Sequence, residues 1–241
     1  MTRTPPQHRP RHRSAVRKTA VALAGAISIV GLATATDAGV GAAPRTKSVV
    51  IADAAAQAVG ALERWQQTSH PIDYVRFVQR RDQAAAMTER DIELADGVLR
   101  DAWADVSVAK QHAVLSAVSQ LGVPYDYLAS EPGVGFDCSG LTIWAFGSAG
   151  VEIPRVSRDQ INEAEATERD DAEAGDLVYY PGHVSIYLGA STMIHAPNSG
   201  SHVEITDLPD KSLRFGDAEA AQLETAAAAE SLVDRTLTVA E

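Results

Sequence analysis

The sequence has a single cysteine, Cys138, among its 241 residues. No intramolecular disulfide can form, which excludes a disulfide framework as the basis of the fold. Basic residues are also scarce, since 21 Lys and Arg stand against 32 Asp and Glu and give a formal net charge of -11. That balance disfavours a nucleic-acid partner, because such binding relies on basic side chains that neutralise phosphates. The 45% of hydrophobic residues still suffices for a globular core.

The sequence also lacks a convincing membrane span near its N-terminus. The apolar segment between Thr19 and Ala35 has a core of roughly 15 residues, shorter than the roughly 20 that a spanning helix needs. It follows a basic start and precedes small residues, which are the three regions of a secretory signal. We therefore expect residues 1–43 to be a signal peptide of a secreted protein, with an uncleaved anchor as the alternative. A lone thiol in an exported protein is either buried or used chemically.

Helical periodicity dominates the first half of the chain. Apolar side chains recur at helical spacing over residues 48–68, and again from Ile72 to Trp103 after a Ser-His-Pro break. Together these stretches predict a helical hairpin within residues 44–105. We interpret it either as a packed spacer or as a segment that binds a partner or covers the active site. An amphipathic helix follows at residues 107–121, with Lys110, Gln111 and His112 expected on its exposed side.

The pattern changes from helical to strand-like at Gly175. Alternating residues bounded by turn formers predict four short strands, at Asp176–Tyr180, His183–Leu188, Met193–Ala196 and His202–Thr206. The expected fold class is therefore α+β, with helices packed on an antiparallel β-meander and preceded by the N-terminal helical hairpin. We expect the residues beyond 208 to form an acidic, Ala-rich tail, helical over part of its length.

Cys138 lies where a polar loop enters a predicted helix whose first turn is Ser139–Thr142. Unpaired backbone N–H groups and the positive end of the helix dipole favour a thiolate there, so we expect a lowered pKa for Cys138. The same N–H groups can hold the oxyanion of a tetrahedral intermediate. One site would then supply both the nucleophile and the stabilisation of charge.

A thiol nucleophile needs a nearby base, and two histidines on predicted strands are candidates. His183 shares one strand face with Ser185, while the alternate residues are apolar. A three-residue loop at residues 189–191 would place His195 diagonal to His183 on that face, whereas a two-residue loop would put the two on opposite faces. In the first geometry His195 orients His183 as the third member of a triad. Zinc binding is the alternative, but no fourth ligand is apparent, so we expect no metal or cofactor.

The segment from about Ala113 to Ile205 resembles the NlpC-type family of bacterial cell-wall endopeptidases, which are papain-like cysteine peptidases. The motifs that carry the resemblance are QLGVPY at residues 120–125, GFDCSGLT at 135–142, IPRVS at 153–157, GDLV at 175–178, GHVSIYLG at 182–189 and MIHAP at 193–197. With its export signal and helical segment, the chain looks similar to mycobacterial and other actinobacterial Rip-type hydrolases. The resemblance implies a papain-like catalytic domain at residues 106–208, between the helical segment 44–105 and the tail 209–241.

The resemblance also implies a role for each candidate residue. Cys138 would be the nucleophile, His183 the general base and His195 the orienting group. The implied substrate-binding residues are Tyr125, Asp137, Ser139, Arg155 and Ser157. The first three would shape the pocket and the last two would reach carboxylates of the peptide stem. As alternatives, Asp137 caps the following helix, Tyr125 packs under its loop, and Ser157 opens a capping box with Gln160.

The implied activity is hydrolysis of peptide stems of peptidoglycan, at the D-glutamyl–diaminopimelate bond, through a thioester. The alternative is a catalytically weak or silent peptidoglycan-binding module that uses the same cleft, and a third hypothesis is an amidase or acyltransferase. The expected location is the cell wall or periplasmic space. We expect a monomer, with another cell-wall hydrolase as a possible partner. The sequence departs from the family at Tyr127-Leu128-Ala129, where an aromatic and two glycines are usual, so we expect an altered loop beside the site.

Overall fold

The computed structural model describes residues 46–225. The expected signal peptide at residues 1–43 and the end of the expected tail, residues 226–241, lie outside the described residues. None of the helices between residues 46 and 225 is both long and apolar enough to cross a membrane.

The predicted N-terminal helical hairpin is confirmed. Helix α1 (Lys47–Thr68) ends at Ser69, whose left-handed backbone reverses the chain. His70 then caps helix α2 (Pro71–Asp91), because its side chain accepts a hydrogen bond from the backbone N–H of Ile72. The two helices pack along their length through small residues of α1.

The second helix is shorter than the sequence predicted. Instead of running to Trp103, α2 ends at Asp91, and a separate helix α3 (Val98–Ala104) follows. The buried carboxylate of Glu89 explains the break, since it accepts hydrogen bonds from the backbone N–H groups of Gly97, Leu99 and Arg100 at the start of α3. Helix α3 then packs on the sheet, where the indole N–H of Trp103 donates to the carbonyl of Leu188.

Helix α4 (Val108–Val118) is buried on every side, so the prediction of an exposed face was wrong. It lies between α1 and the helix that begins at Cys138. Lys110 pairs with Asp176 at 2.7 Å and with Asp217 at 2.8 Å, and Gln111 bonds to Arg81. His112 is buried as well. These polar side chains are tolerated inside because the rest of the fold supplies partners for Lys110 and Gln111.

The remaining elements before the meander are short. They are β1 (Ser130–Glu131), β2 (Gly135–Phe136), α5 (Cys138–Ser148), α6 (Ser157–Glu163), β3 (Glu165–Thr167) and a 3₁₀ turn at Arg169–Asp171. Strands β1 and β2 form a small hairpin directly before α5. Helix α5 packs on α4 and on the central sheet, so its first residue lies close to that sheet.

The central sheet has six antiparallel strands, in the order β3-β8-β4-β5-β6-β7. The four strands of the predicted meander are β4 (Leu177–Tyr180), β5 (His183–Gly189), β6 (Thr192–His195) and β7 (Glu204–Asp207), and strand β8 is Arg214–Asp217. The meander and the α+β class are confirmed, but β3 and β8 were not predicted. Strand β8 inserts between β3 and β4, so the sheet extends beyond the expected boundary at residue 208.

The segment that joins β7 to β8 runs from one end of the sheet to the other. Asp207 ends β7 opposite Thr192, whereas Arg214 begins β8 opposite Tyr179. Residues 208–213 therefore reach the end of the sheet that carries His183. Residues 218–225 are helical, as expected for part of the tail, and Glu219 hydrogen-bonds Ser107 ahead of α4.

Candidate active site

Cys138 is the first residue of α5, one residue before the predicted first turn at Ser139–Thr142. Asp137 is the N-cap, and its Oδ1 accepts a hydrogen bond of 2.6 Å from the backbone N–H of Gly140. The alternative in which Asp137 caps the helix is therefore confirmed. The half-buried thiol lies in the first turn of the helix, beside the backbone N–H of Ser139.

Gly140 allows the loop before the helix to lie directly against α5. A Cβ atom at this position would be 1.9 Å from the carbonyl oxygen of Ala129. That oxygen accepts a hydrogen bond from the backbone N–H of Asp137, and the N–H of Leu128 donates to the Asp137 carboxylate. Leu128 has a φ of 62°, a conformation that favours glycine. The loop thus keeps a left-handed position without a glycine, held by its bonds to Asp137.

Asp137, Ser139 and Arg155 form a closed ring of hydrogen bonds beside the nucleophile. The Nη2 of Arg155 lies 2.8 Å from Asp137 Oδ2, and its Nη1 donates to Ser139 Oγ at 2.7 Å. Ser139 Oγ in turn donates to Asp137 Oδ1 at 3.2 Å. The guanidinium predicted to reach a substrate carboxylate is thus already paired with a carboxylate of the protein.

Ser157 does not form the predicted capping box. It is the first residue of α6, the N-cap is Val156, and no side chain caps this end. Gln160 instead turns inward, where its amide bonds to Thr142, the carbonyl of Ser139 and the carbonyl of Pro154. Gln160 therefore links α6 to the first turns of α5.

The hairpin between β5 and β6 combines the shorter of the two loops that the sequence allowed with a bulge that the sequence did not indicate. It has a two-residue turn, Ala190 and Ser191, both with positive φ, and Gly189 pairs with Thr192. The register then shifts by one residue, because Leu188 forms a bulge between Tyr187 and Gly189. The predicted three-residue loop was wrong, but the bulge supplies the missing residue and returns both histidines to one face.

His183 and His195 are in direct contact. His183 Nε2 lies 2.8 Å from His195 Nδ1, and the rings are nearly perpendicular at 85°. His195 Nε2 lies 3.3 Å from Thr206 Oγ1 and 3.8 Å from a carboxylate oxygen of Glu204. If the proton of His195 is on Nε2, towards these oxygens, Nδ1 accepts from His183 Nε2–H. That tautomer leaves His183 Nδ1 without a proton, as a general base requires.

The thiol of Cys138 contacts the start of β5 through a hydrogen bond with the backbone of Val184. Burial raises the pKa of Cys138, and Asp137 adds to the increase, although backbone hydrogen bonds with Val184 and Ser139 lower it. The expected low pKa was therefore wrong, because desolvation of the thiolate outweighs the stabilisation at the helix end. Burial also lowers the pKa of His183 to about 4 and that of His195 to about 4. The resting pair at neutral pH is a thiol and a neutral imidazole.

Two tyrosines complete the surroundings of the thiol. Burial raises the pKa of Tyr125, and the proximity of Cys138 and Asp137 raises it further, which places this predicted residue close to the nucleophile. Tyr180 was not predicted. Its ring stacks on that of His183, with centroids 5.0 Å apart. The Pro-Gly turn between β4 and β5 could have indicated this contact from the sequence, since a two-residue turn makes Tyr180 and His183 cross-strand partners.

A comparison with known protein families identifies the part of the chain that contains Cys138, His183 and His195. The model of the NlpC/P60 family matches residues 122–214. The chain contains an NlpC/P60 domain. Over 108 residues it is 42% identical to a probable endopeptidase of Corynebacterium glutamicum, covering 44% of this chain and 49% of that protein. It is 37% identical over 126 residues to the peptidoglycan endopeptidase RipB of Mycobacterium tuberculosis, covering 46% of this chain and 52% of that protein.

Among solved structures, the P60 domain of an antigen of M. avium subspecies paratuberculosis is 30% identical. The match covers 46% of this chain and 94% of that domain, with a TM-score of 0.43. The chain spans about half the length of the curated relatives it matches. The family assignment rests on the sequence match over residues 122–214.

Proposed function

We propose that this chain is an exported cysteine endopeptidase that hydrolyses peptide stems of bacterial peptidoglycan. The observation that carries the proposal is the contact of Cys138 with β5, next to a His183–His195 pair with a 2.8 Å hydrogen bond. The names of the relatives, which include peptidoglycan endopeptidases, support the substrate class. Its place of action would be the cell wall or periplasmic space.

The chemistry follows from the neutral resting state. As the sulfur of Cys138 attacks the carbon of the scissile amide, His183 Nδ1 accepts the thiol proton. Backbone N–H groups at the start of α5 hold the oxygen that becomes negative. His183 then gives the proton to the departing amine, which leaves a thioester on Cys138. Water, deprotonated by the same imidazole, hydrolyses the thioester and restores the thiol.

His195 acts by holding the imidazole of His183 rather than by touching the substrate. Its Nδ1 accepts from His183 Nε2–H, which fixes the ring and stabilises the imidazolium that forms during attack. We place Tyr125, Asp137 and Ser139 at the wall of the substrate pocket, with Arg155 holding Asp137 and Ser139 in position. Ser157 is within the same motif and remains a candidate for substrate contact. The bond cleaved is the one between D-glutamate and diaminopimelate.

A second candidate is a peptidoglycan-binding module with weak catalysis or none. The observation in its favour is the raised pKa of Cys138, which leaves little thiolate at neutral pH. The triad geometry favours the enzyme, since a binding module has no use for an oxidisable thiol beside two histidines.

Mass spectrometry of muropeptides separates the two candidates. We expect the full chain to release a fragment with a new N-terminal diaminopimelate, and Cys138→Ala to release none while still binding peptidoglycan. A product of different mass would assign another amide bond. If the native chain releases no fragment but binds peptidoglycan as tightly as Cys138→Ala does, the endopeptidase proposal is wrong and the chain is a binding module.

A further inference from the structure

Two cations lie near the candidate catalytic residues, and their partners differ. Arg155 donates to Asp137 and Ser139, so two of its nitrogens are already bound to protein groups. Lys211 comes from the segment 208–213 that joins β7 to β8, and within residues 46–225 it forms no ion pair. An exposed ammonium without a carboxylate partner is the group available to an acidic ligand.

The side chain of Lys211 contacts the ring of Tyr180. Its Nζ lies 4.0 Å from the centroid of the Tyr180 ring, a cation–π contact. The same ring stacks on His183 at 5.0 Å with an interplanar angle of 29°. Tyr180 is held there as the cross-strand partner of His183. The ammonium and the imidazole of the candidate general base therefore contact the same aromatic ring.

The path of the chain explains why Lys211 reaches this position. Strand β7 ends opposite Thr192, far from the catalytic end of β5, and β8 begins opposite Tyr179, close to it. The connection has to reach the catalytic end before β8 can enter the sheet. Lys211 lies near the end of that connection, in the stretch that was expected to form an acidic, Ala-rich tail.

We propose that Lys211 is a specificity-determining residue, which binds a carboxylate of the stem peptide next to the scissile amide. This inference rests on the proposed function, since it takes the substrate to be an acidic peptide cleaved at Cys138. The ammonium donates a charge-assisted hydrogen bond to the carboxylate, and the Tyr180 ring keeps it directed at the cleft. A neutral carboxamide at the same place loses the ionic part of that contact.

The test pairs two variants with two peptides. One peptide carries a free α-carboxylate on the D-glutamyl residue that supplies the scissile carbonyl, and the other carries a carboxamide there. In the full chain, Lys211→Met keeps an unbranched apolar stem to cover Tyr180, while Lys211→Arg keeps the charge. We expect Lys211→Met to raise KM for the acidic peptide about 10- to 100-fold and to leave KM for the amide unchanged. Lys211→Arg should stay close to the native chain with both peptides.

Two results would overturn the proposal. One is an equal change for both peptides, with the acid limb of the pH profile displaced, which would mean that Lys211 acts only through the charge of His183. The other is no change for either peptide. If the native chain cleaves neither peptide, the proposed function fails by itself. The dissociation constants of the two peptides are then measured in a Cys138→Ala background with and without Lys211→Met. Weaker binding of the acidic peptide alone supports the role of Lys211, and an equal change or no change for the two peptides contradicts it.

Discussion

His195 reaches His183 because a one-residue bulge compensates for a two-residue turn. The turn at Ala190 and Ser191 alone would put the two histidines on opposite faces of the sheet. The bulge at Leu188 adds the residue that restores the shared face, and the ring nitrogens then lie 2.8 Å apart. The pairing of the candidate base and its orienting group thus depends on an irregularity of the hairpin.

Replacement of His195 tests its orienting role. His195→Ala removes the acceptor for His183 Nε2–H, so the imidazole loses its fixed tautomer, and kcat should fall about 100-fold with little change in KM. His195→Asn offers a side-chain oxygen near the position of Nδ1 and should recover most of the loss. Steady-state kinetics on a stem peptide measures both. Equal losses in the two variants would show that His195 acts through packing alone.

The raised pKa of Cys138 predicts a particular pH dependence of alkylation. Iodoacetamide reacts with the thiolate, so its rate with the native chain should still increase above about pH 9, where a free thiol approaches its plateau. Cys138 is the only cysteine, so the intact mass of the protein reports this site directly. A model thiol and the unfolded chain serve as controls. A plateau at neutral pH would instead mean a resting thiolate.

The two buried histidines predict a loss of stability in mild acid. Both have a pKa of about 4 in the folded chain, below the usual value of about 6.5, so the unfolded chain binds more protons between these values. The contribution of the two neutral histidines to the free energy of unfolding should therefore be fully present above pH 6.5. The free energy of unfolding should decrease by about 1–3 kcal/mol as the pH falls towards 4.

Chemical denaturation at pH 7.5 and pH 5 measures this decrease. His195→Asn removes one of the two titrating groups, so the difference between the two pH values should shrink in that variant. An unchanged difference would assign the acid sensitivity to other groups.

Two glycines in the same helix provide a matched pair for the loop contact. Gly140→Ala places a Cβ 1.9 Å from the carbonyl of Ala129, which is itself bonded to Asp137, so the loop must move and stability should fall by about 1–3 kcal/mol. Cleavage should be lost with it. Gly147→Ala meets open space and should stabilise the chain by about 0.5–1 kcal/mol through helix propensity. Similar effects from the two variants would mean that the close approach at Gly140 is unimportant.

The parts of the structure that the sequence predicts are those set by local patterns. The helical hairpin, the meander and the position of Cys138 at a helix start each follow from spacing within a short window. The contact between Asp137 and Gly140 is local too, as an N-cap should be. These features need no knowledge of what packs against them.

The parts that escaped prediction depend on partners distant in sequence. Lys110 is buried because Asp176 and Asp217 surround it, and neither residue is marked as its partner by any nearby pattern. Strand β8 is short and exposed at Arg214, and it forms only because β3 and β4 flank it. The raised pKa of the Cys138 thiol also depends on residues distant in sequence, since the thiol is buried only in the packed fold.

The most direct test of the account is to look for the acyl group on Cys138. The full chain is mixed with a stem peptide, quenched in acid within milliseconds, and its intact mass is measured beside that of Cys138→Ala. We predict an adduct with the mass of the acyl half of the peptide in the native chain, no adduct in the variant, and product from the native chain only. Cleavage by Cys138→Ala at the native rate would contradict the account.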